Sequence, residues 1–236
     1  FKSNNTISYD LDSYDNSKPI TIDPWVITPT LTNSNGVWEC EHDGAGNAYI
    51  IGGDMPMKLL KYNSAGVLQW THNTPWDTAN YWLGTLATDL AGNSYVTAGS
   101  VAEIRKVNTS GTALYTVNGG AFDEYWAITF NCDQSKLIVG GTRLAIPVEN
   151  SHGVIFDIDP ATGAMTSLAN VTNTRPGIFG FNDPNEVRAI SSSYNAKYYY
   201  LTLDTLGAIN QNLSACSSDP TMEINNSYTF AYKSEN

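Results

Sequence analysis

Acidic side chains are the first candidates for chemistry, because two carboxylates that face a sugar can serve as general acid and as base or nucleophile. They occur as close pairs at Asp123-Glu124 and at Asp157 and Asp159. Nothing in the spacing brings the two pairs together. Asp157 and Asp159 alternate along a predicted strand and would point to the same side of it. We therefore interpret both pairs as a solvated rim.

Metal ligands do not occur at the spacings of known metal sites. His42, His72 and His152 are far apart and form no His-x-His pattern. Residues 10–16 begin like a calcium loop, but Asp15 stands where an EF-hand requires glycine. The sequence predicts neither a bound metal nor a cofactor, and it contains no nucleophile elbow or cofactor fingerprint.

The three cysteines are also far apart and exclude a Cys-x-x-Cys metal or redox site. Cys40 and Cys132 fall in the first predicted strand of their units, where we expect small buried apolar side chains. A disulfide bond that involves Cys216 stays open for an extracellular protein.

Aromatic residues are the stronger candidates for ligand binding. They cluster at the junctions between the repeated units described below, at Trp76, Tyr81, Trp82, Tyr125 and Trp126. Rings at such junctions commonly pack between units. They can also form a platform for a carbohydrate or a peptide, and on that basis we take these five as candidate binding residues.

The chain contains a repeated sequence unit, and the strands of this unit must position the candidate residues named above. Asp43 and Asp89 lie 46 residues apart, as do Asn47 and Asn93. Two clear copies, a looser third and a half-legible fourth run over residues 37–70, 83–115, 126–165 and 187–212. A period of this size is typical of repeat architectures.

Each copy predicts two β-hairpins. The first turns at Asp-x-Ala-Gly-Asn or a relative of it, so that Asp43 and Asp89 are interpreted as turn residues. The second turns at segments 63–66, 108–111 and 159–163. Two hairpins per period make a four-stranded antiparallel sheet, which is one blade of a β-propeller. The sequence therefore predicts an all-β chain with a β-propeller of four-stranded antiparallel blades.

Three regions follow from the repeat. Residues 1–35 are a lead-in segment or strands that close a blade, 36–212 hold about four blades, and 213–236 start a further blade or a linker. Glycines close the second strand of each copy at Gly52-Gly53, Gly99 and Gly140-Gly141, where we expect close packing. Four legible copies, with a start at Phe1, indicate part of a longer protein with a partial propeller.

Charge and composition exclude some partners. The net charge is −11 with a pI near 4.5, and no basic stripe is present, so nucleic acid is not an expected partner. No apolar run has the length of a membrane span. Only 15% of residues are charged, which suits the neutral-polar surface of a secreted protein.

The repeat resembles a known group of proteins. Asp-x-Ala-Gly-Asn-x-Tyr, a short apolar strand and a Lys-x-Asn-x-x-Gly hairpin are similar to β-propeller repeats of large secreted bacterial surface proteins. Residues 196–210 and 228–236 resemble the Bacteroidota subset, whose members commonly end in a gliding-motility-associated, type 9 secretion sorting domain. The resemblance implies an extracellular or cell-surface location. It implies partners among surface glycans or proteins and the outer-membrane secretion machinery, and it supplies no catalytic residues.

Two finer implications come from resemblance. The Asp-Thr-apolar triplets around Thr78 and Thr205 match the O-glycosylation pattern implied for Bacteroidota. The segment Gly66 to Trp70 is similar to quinoprotein propeller hairpins, but Tyr115 replaces the tryptophan in the second copy. No cofactor constellation accompanies it.

Two classes of function stay open. One is a non-catalytic binding and display module for adhesion or gliding, with contacts through the variable loops 71–82 and 145–152. The other is a polysaccharide-acting hydrolase or lyase. Clustered carboxylates in the axial channel would favour the enzyme, whereas an exposed aromatic face would favour the module. We expect the module, because no catalytic motif is present.

Overall fold

The fold is almost entirely β-structure. The computed structural model describes residues 27–31, 36–53, 56–76, 85–120, 123–131, 133–171, 185–187, 189–192, 197–202, 206–210, 221–224 and 230–233. These residues form seventeen strands and one short 3-10 turn. Within these ranges, no helix is long and apolar enough to cross a membrane.

The first three sheets are four-stranded antiparallel meanders, which we call blades 1 to 3. Blade 1 contains β1 (Val37–His42), β2 (Ala48–Gly52), β3 (Lys58–Tyr62) and β4 (Leu68–Asn73). Blade 2 contains β5 (Leu86–Thr88), β6 (Ser94–Thr97), β7 (Glu103–Val107) and β8 (Ala113–Asn118). Blade 3 contains β9 (Asp123–Phe130), β10 (Leu137–Arg143), the 3-10 turn Val148–Asn150, β11 (His152–Ile158) and β12 (Met165–Val171).

The fourth sheet, blade 4, has a different order. Its strands are β13 (Ala189–Ser192), β14 (Lys197–Leu201), β15 (Leu206–Asn210), β16 (Thr221–Ile224) and β17 (Phe230–Lys233). The order is β15-β14-β13-β16-β17, so that the β16–β17 hairpin pairs with the edge of β13. In blades 1 to 3 the first strand is instead an edge of its sheet.

The blades follow one another around an axis. The first strand of each blade contacts the first strand of the next, from β1 to β5, β9 and β13. The predicted β-propeller of four-stranded antiparallel blades is thereby confirmed. We call the two ends of each blade the turn end and the loop end. The turn end carries the turn between the first and second strands and the turn between the third and fourth strands. The loop end carries the link between the second and third strands and the connection to the next blade.

Side-chain hydrogen bonds build the turn end, as the sequence predicts. Asp43 accepts the backbone N–H groups of Ala45 and Asn47, both at 2.9 Å, and the Tyr49 hydroxyl at 2.9 Å. Asp89 accepts the backbone N–H of Asn93 at 2.7 Å. Burial by itself would raise the pKa of Asp43, but the hydrogen bonds from Asn47 and Tyr49 outweigh it and lower that pKa.

Apolar side chains fill the space between neighbouring blades. Between blades 1 and 2 the cluster includes Leu59, Leu86 and Val96, all fully buried. A second cluster between blades 2 and 3 is centred on Ile104 and Val139. Strands β2, β6 and β10 therefore bury side chains on both faces of their sheets, which is why they do not show a simple apolar–polar alternation.

An aromatic side chain connects each of the first two blades to the turn of the next blade. The indole Nε1–H of Trp70, on β4, donates to the carbonyl oxygen of Thr109 at 2.9 Å. At the equivalent place on β8, the Tyr115 hydroxyl donates to the carbonyl of Pro160 at 2.9 Å. Thr109 and Pro160 are both the second residue of a predicted hairpin turn. We call these two contacts the turn-end latches.

Glycine is required at the turns that receive these aromatic rings. Gly111 has φ +83°, and a Cβ built there would lie 2.9 Å from the Trp70 ring. Gly46 has a similar φ of +75°, but its nearest neighbour, the Ser64 Cβ, would be 3.7 Å away.

The predicted packing role of the strand-closing glycines is also confirmed at the third blade. A Cβ on Gly141 would lie 1.8 Å from the Glu124 carbonyl oxygen, and one on Gly140 would lie 2.5 Å from Val187. Since those neighbours are partly backbone, no side chain can be accommodated at Gly141 without a shift of the inner strands.

Gly111→Ala will destabilise the protein more than Gly46→Ala. Both changes place an alanine in the left-handed region, at about 1–2 kcal/mol. Only Gly111→Ala also drives a methyl group into the Trp70 ring, which adds about 1–3 kcal/mol. Chemical denaturation of the two variants measures the difference. Equal losses would show that the latch tolerates the methyl group.

The His72 ring joins the same blade contact and makes it sensitive to pH. Its Nδ1 lies 2.9 Å from the Gly111 carbonyl, and its Nε2 is buried without a partner. Burial lowers the pKa of His72, and the nearby Arg105 adds to that effect, although the bond to Gly111 opposes it.

Stability will fall as the pH drops below about 6.5, the pKa of an unperturbed histidine. The unfolded chain then takes up a proton at His72 that the folded chain resists, so the free energy of unfolding decreases until the lower folded pKa is reached. Because the ring is only half buried and solvent screens part of the charge, we expect about 1 kcal/mol or less. His72→Gln should remove this loss between pH 7.5 and 5.5 in thermal unfolding, whereas the control His152→Gln should retain it.

Candidate functional site

Three of the five aromatic residues predicted to contact a ligand are buried in the structure. Trp76, Tyr125 and Trp126 are at most 1% exposed, and the Trp76 and Tyr125 rings belong to the apolar clusters between blades, as the alternative interpretation predicts. These three residues are therefore corrected from surface ligand contacts to interior residues. Tyr81 and Trp82 lie outside the described residues, as do the glycosylation candidates Thr78 and Thr205.

Each buried tryptophan instead holds a carboxylate. The Nε1–H of Trp76 donates to Glu103 Oε2 at 2.7 Å. The Nε1–H of Trp126 donates to Glu124 Oε2 at 3.1 Å. An indole N–H is a donor only, and a buried one needs an acceptor. The two glutamates satisfy the indoles and are themselves oriented by them.

These carboxylates meet at a cleft of about 300 Å³ between blades 2 and 3, at the loop end. The β6–β7 link and the start of β7 form one wall, and the end of β8 forms the base. The start of β9 forms the opposite wall. The residues that matter for its chemistry are Ala102, Glu103, Gly119, Gly120, Asp123 and Glu124.

Asp123 is fixed by an ion pair with Arg143. The guanidinium donates through Nε to Oδ1 and through Nη2 to Oδ2, both at 2.8 Å. Asp123 is buried, whereas Arg143 is about half exposed. The hydrogen bonds to Asp123 raise the pKa of Arg143. A two-pronged contact of this type restricts the orientation of the carboxylate as well as its position.

A buried hydroxyl without a hydrogen-bond partner lies behind the lining of the cleft. Tyr125 is 0% exposed, and its hydroxyl makes no hydrogen bond. The hydroxyl lies against two small residues that line the cleft: a Cβ built on Gly119 would be 2.2 Å from it and 2.7 Å from the Ala102 Cβ. Burial raises the pKa of Tyr125, and the negative charge of Asp123 adds to the effect.

The cleft is negatively charged. Glu103, Asp123 and Glu124 line it, and no lysine or arginine is part of its lining. Arg143 pairs with Asp123, and the Arg105 guanidinium lies 5.8 Å from the centroid of the Trp76 ring, the partner of Glu103. In the described ranges, no group of three or more His, Cys, Asp or Glu side chains could hold a metal ion.

The other predicted carboxylates lie elsewhere. Asp159 accepts the N–H groups of Ala161 and Thr162 in the β11–β12 turn, and these bonds lower its pKa. Asp157 lies on β11, with its Oδ1 3.9 Å from the Lys136 Nζ. The two residues serve a turn and a strand of blade 3.

The cysteine prediction needs one correction. Cys40 is a free, exposed thiol rather than a buried side chain. The reason is its place on β1, the edge strand of blade 1, most of whose residues are only partly buried. Cys132 and Cys216 lie outside the described residues.

The sequence analysis missed Glu103 as a site residue. A signal was present, because the repeat places Lys58 at the start of β3 and Glu103 at the equivalent start of β7. A reversal of charge at one repeat position is a change that blade packing does not require. It marks the contact between blades 2 and 3 as different from the others.

Fold and site together define a β-propeller protein with an acidic cleft between two blades. No protein-family model matches the chain, and no curated protein matches its sequence.

Solved structures share its architecture. A protein of unknown function from Bacteroides caccae is 14% identical with a TM-score of 0.51, over 76% of this chain and 65% of that one. The WD40 β-propeller domain of Doa1 is 12% identical with a TM-score of 0.50, over 75% of this chain and 51% of that one. Virginiamycin B lyase from Staphylococcus aureus is 11% identical with a TM-score of 0.49, over 83% and 69%. At these identities the similarity shows the fold alone. The chain spans less than two thirds of the first two structures.

Two tyrosine-to-phenylalanine changes will separate the unpaired hydroxyl from a paired one. Tyr125→Phe should leave the free energy of unfolding unchanged or slightly higher, because no hydrogen bond is lost. Tyr49→Phe is the matched change at an equally buried ring and should cost about 1–3 kcal/mol, because it removes the bond to Asp43. Denaturant titration measures both. A large loss for Tyr125→Phe would reveal a structural partner for its hydroxyl.

Proposed function

We propose that this chain is a non-catalytic binding and display module of a secreted or cell-surface bacterial protein, used in adhesion or gliding-associated binding. The acidic cleft at the loop end is the observation that carries the proposal. Its side chains are held by indole and guanidinium donors and stand on strands rather than on free loops. Preorganised groups on a rigid scaffold favour binding, because little freedom is lost when a ligand arrives.

The two ends of the blades differ in how far their side chains are engaged in holding the fold together. At the turn end, side chains such as Asp43 and Trp70 are committed to turns and latches. At the loop end, the β10–β11 link exposes Ile146, which is 77% accessible. Loops on a rigid scaffold commonly carry binding function. A ligand that enters the cleft would meet this loop beside it, since Leu144 of the same link lines the cleft.

The extracellular location and the type 9 secretion route rest on the resemblance of residues 196–210 and 228–236 to secreted Bacteroidota proteins. A low content of charged residues, 15%, is compatible with it. Partners under this proposal are glycans or proteins of the cell surface and the outer-membrane secretion machinery. Thr78 and Thr205 stay predicted O-glycosylation sites, and Tyr81 and Trp82 stay predicted ligand contacts.

A polysaccharide-acting hydrolase or lyase is the second candidate. It is favoured by the convergence of Glu103, Asp123 and Glu124 on one cleft, since such enzymes act through carboxylates on either side of a sugar. Both oxygens of Asp123 accept hydrogen bonds from Arg143, which leaves that carboxylate poorly placed to transfer a proton.

Adhesion of beads coated with the folded chain to cells of a Bacteroidota host tests the first proposal. Ile146→Ser should reduce adhesion about threefold or more, with unchanged thermal stability, because it removes an apolar contact at the loop end. Leu114→Ser is the matched control, since Leu114 is an exposed aliphatic residue on the outermost strand of blade 2.

Two results would contradict the proposal. Beads coated with the folded chain that adhere no better than beads with denatured chain would remove the adhesive role. Turnover of a polysaccharide by the purified chain, abolished by Glu103→Gln with thermal stability unchanged, would establish the second candidate instead.

A further inference from the structure

We infer that the β10–β11 link places its apolar tip, residues 146–148, in an apolar pocket of a partner protein. This contact rests on the proposed binding function, and it selects a protein as the partner rather than a glycan or a lipid surface. Three observations support it: the exposure of the tip, the hydrogen bonds that hold the link at its base, and the chemistry of the side chains beside the tip.

The tip is the most exposed aliphatic part of the described structure. Residues 144–148 read Leu-Ala-Ile-Pro-Val, five apolar residues in succession. Ile146 is 77% exposed, the highest value among the exposed large apolar side chains of the described ranges. Pro147 beside it is also exposed, and Val148 is partly buried. A single exposed aliphatic residue is ordinary, whereas adjoining apolar residues at one projecting point mark a contact with another molecule.

Hydrogen bonds at the base of the link give the tip a defined position. The Ala145 N–H donates to Ser151 Oγ at 3.1 Å, which joins the two ends of the loop. The Ser151 N–H donates to the Val148 carbonyl at 2.9 Å and closes the 3-10 turn that follows the tip. The buried Asn185 amide donates to the Ser151 carbonyl at 2.9 Å. Little conformational freedom is therefore lost when the tip enters a pocket.

The side chains at the tip suit neither a glycan nor a lipid surface. They have no hydrogen-bonding group and no aromatic ring, which are the groups that orient a polar ligand such as a sugar. Segments that bind membranes combine apolar residues with lysine, arginine or tryptophan. Here the exposed residue directly after the tip is the acidic Glu149, and Arg143, before the tip, is already paired with Asp123.

A protein pocket matches both the tip and its surroundings. A branched aliphatic side chain that fills an apolar pocket excludes water from the centre of a contact, and charged groups around it set the orientation and the association rate. Glu149 lies beside the tip, so we expect a basic residue at the rim of the pocket. The net charge of −11 attracts a basic partner over a longer range. Leu144 lines the acidic cleft, so a partner that holds the tip also covers that cleft.

The test measures adhesion of beads coated with the folded chain to cells of a Bacteroidota host after two treatments. Cells treated with proteinase K should lose adhesion, whereas cells treated with periodate, which oxidises glycan diols, should keep it. Liposomes of phosphatidylethanolamine and phosphatidylglycerol should not bind the beads. A cyclic peptide with the sequence of residues 144–151 should reduce adhesion to the untreated cells about threefold or more. The same peptide with serine at the isoleucine position should have no effect.

Variants of the full chain separate the parts of the contact. Ile146→Val should keep most of the adhesion that Ile146→Ser removes, because valine still fills an apolar pocket. Glu149→Lys should weaken adhesion about threefold and reverse its dependence on salt. Ser151→Ala should weaken it about twofold, because the loop loses the hydrogen bond that joins its ends. Leu90→Ser is the matched control, since Leu90 is 62% exposed at the turn end. Thermal unfolding of every variant excludes loss of folding as the cause.

Several results would overturn the assignment of a protein partner. Loss of adhesion after periodate would assign a glycan instead, and binding of the beads to liposomes would assign a lipid surface. Adhesion that Ile146→Ser leaves unchanged, or that the cyclic peptide does not reduce, would exclude the tip as the contact. In all these cases the beads still adhere to untreated cells, so that the proposed function stands and only its partner is wrong. Beads that adhere no better than beads with denatured chain would contradict both.

Discussion

The contact between one blade and the next is the constraint on which the structure depends. A four-stranded sheet of this size has two apolar faces and cannot bury either alone, so each blade is stable only against its neighbours. Apolar side chains such as Leu59 and Val139 supply most of that burial. The latches of Trp70 and Tyr115 then fix the register, because each ring must reach one carbonyl of the following turn. The same stacking that buries the faces opens the cleft at the loop end.

Features that recur in the repeat could be predicted from the sequence. The period gave the four-stranded blades, and the spacing of Asp43 and Asp89 gave the hairpin turns, because an Asx turn is a local structure that depends on a few adjacent residues. Close packing at Gly140 and Gly141 followed from their position at the end of a strand.

Other features depend on which blade faces which. The sequence left the burial of Trp76 open between two alternatives, because a tryptophan in a link between blades can turn toward either solvent or interior. The exposure of Cys40 follows from the position of β1 at the edge of its sheet, which a strand pattern does not reveal. The cleft combines Glu103 of one blade with Asp123 of the next, and no local pattern connects them.

The inner strands β1 and β13 differ in whether their outer row of backbone groups is paired with another strand, and this difference has a consequence for self-association. An inner strand that keeps one row of backbone groups unpaired is a template on which another chain can add a strand. In the fourth sheet the β16–β17 hairpin occupies that row on β13. On β1 the equivalent row has no added strand in the described structure, and two acidic residues, Glu39 and Glu41, flank Cys40 there. The Glu39 carboxylate accepts hydrogen bonds from the Thr85 hydroxyl and the Leu86 N–H of blade 2, so that β1 is held against its neighbour at this point and is a poorer template for a strand of another chain.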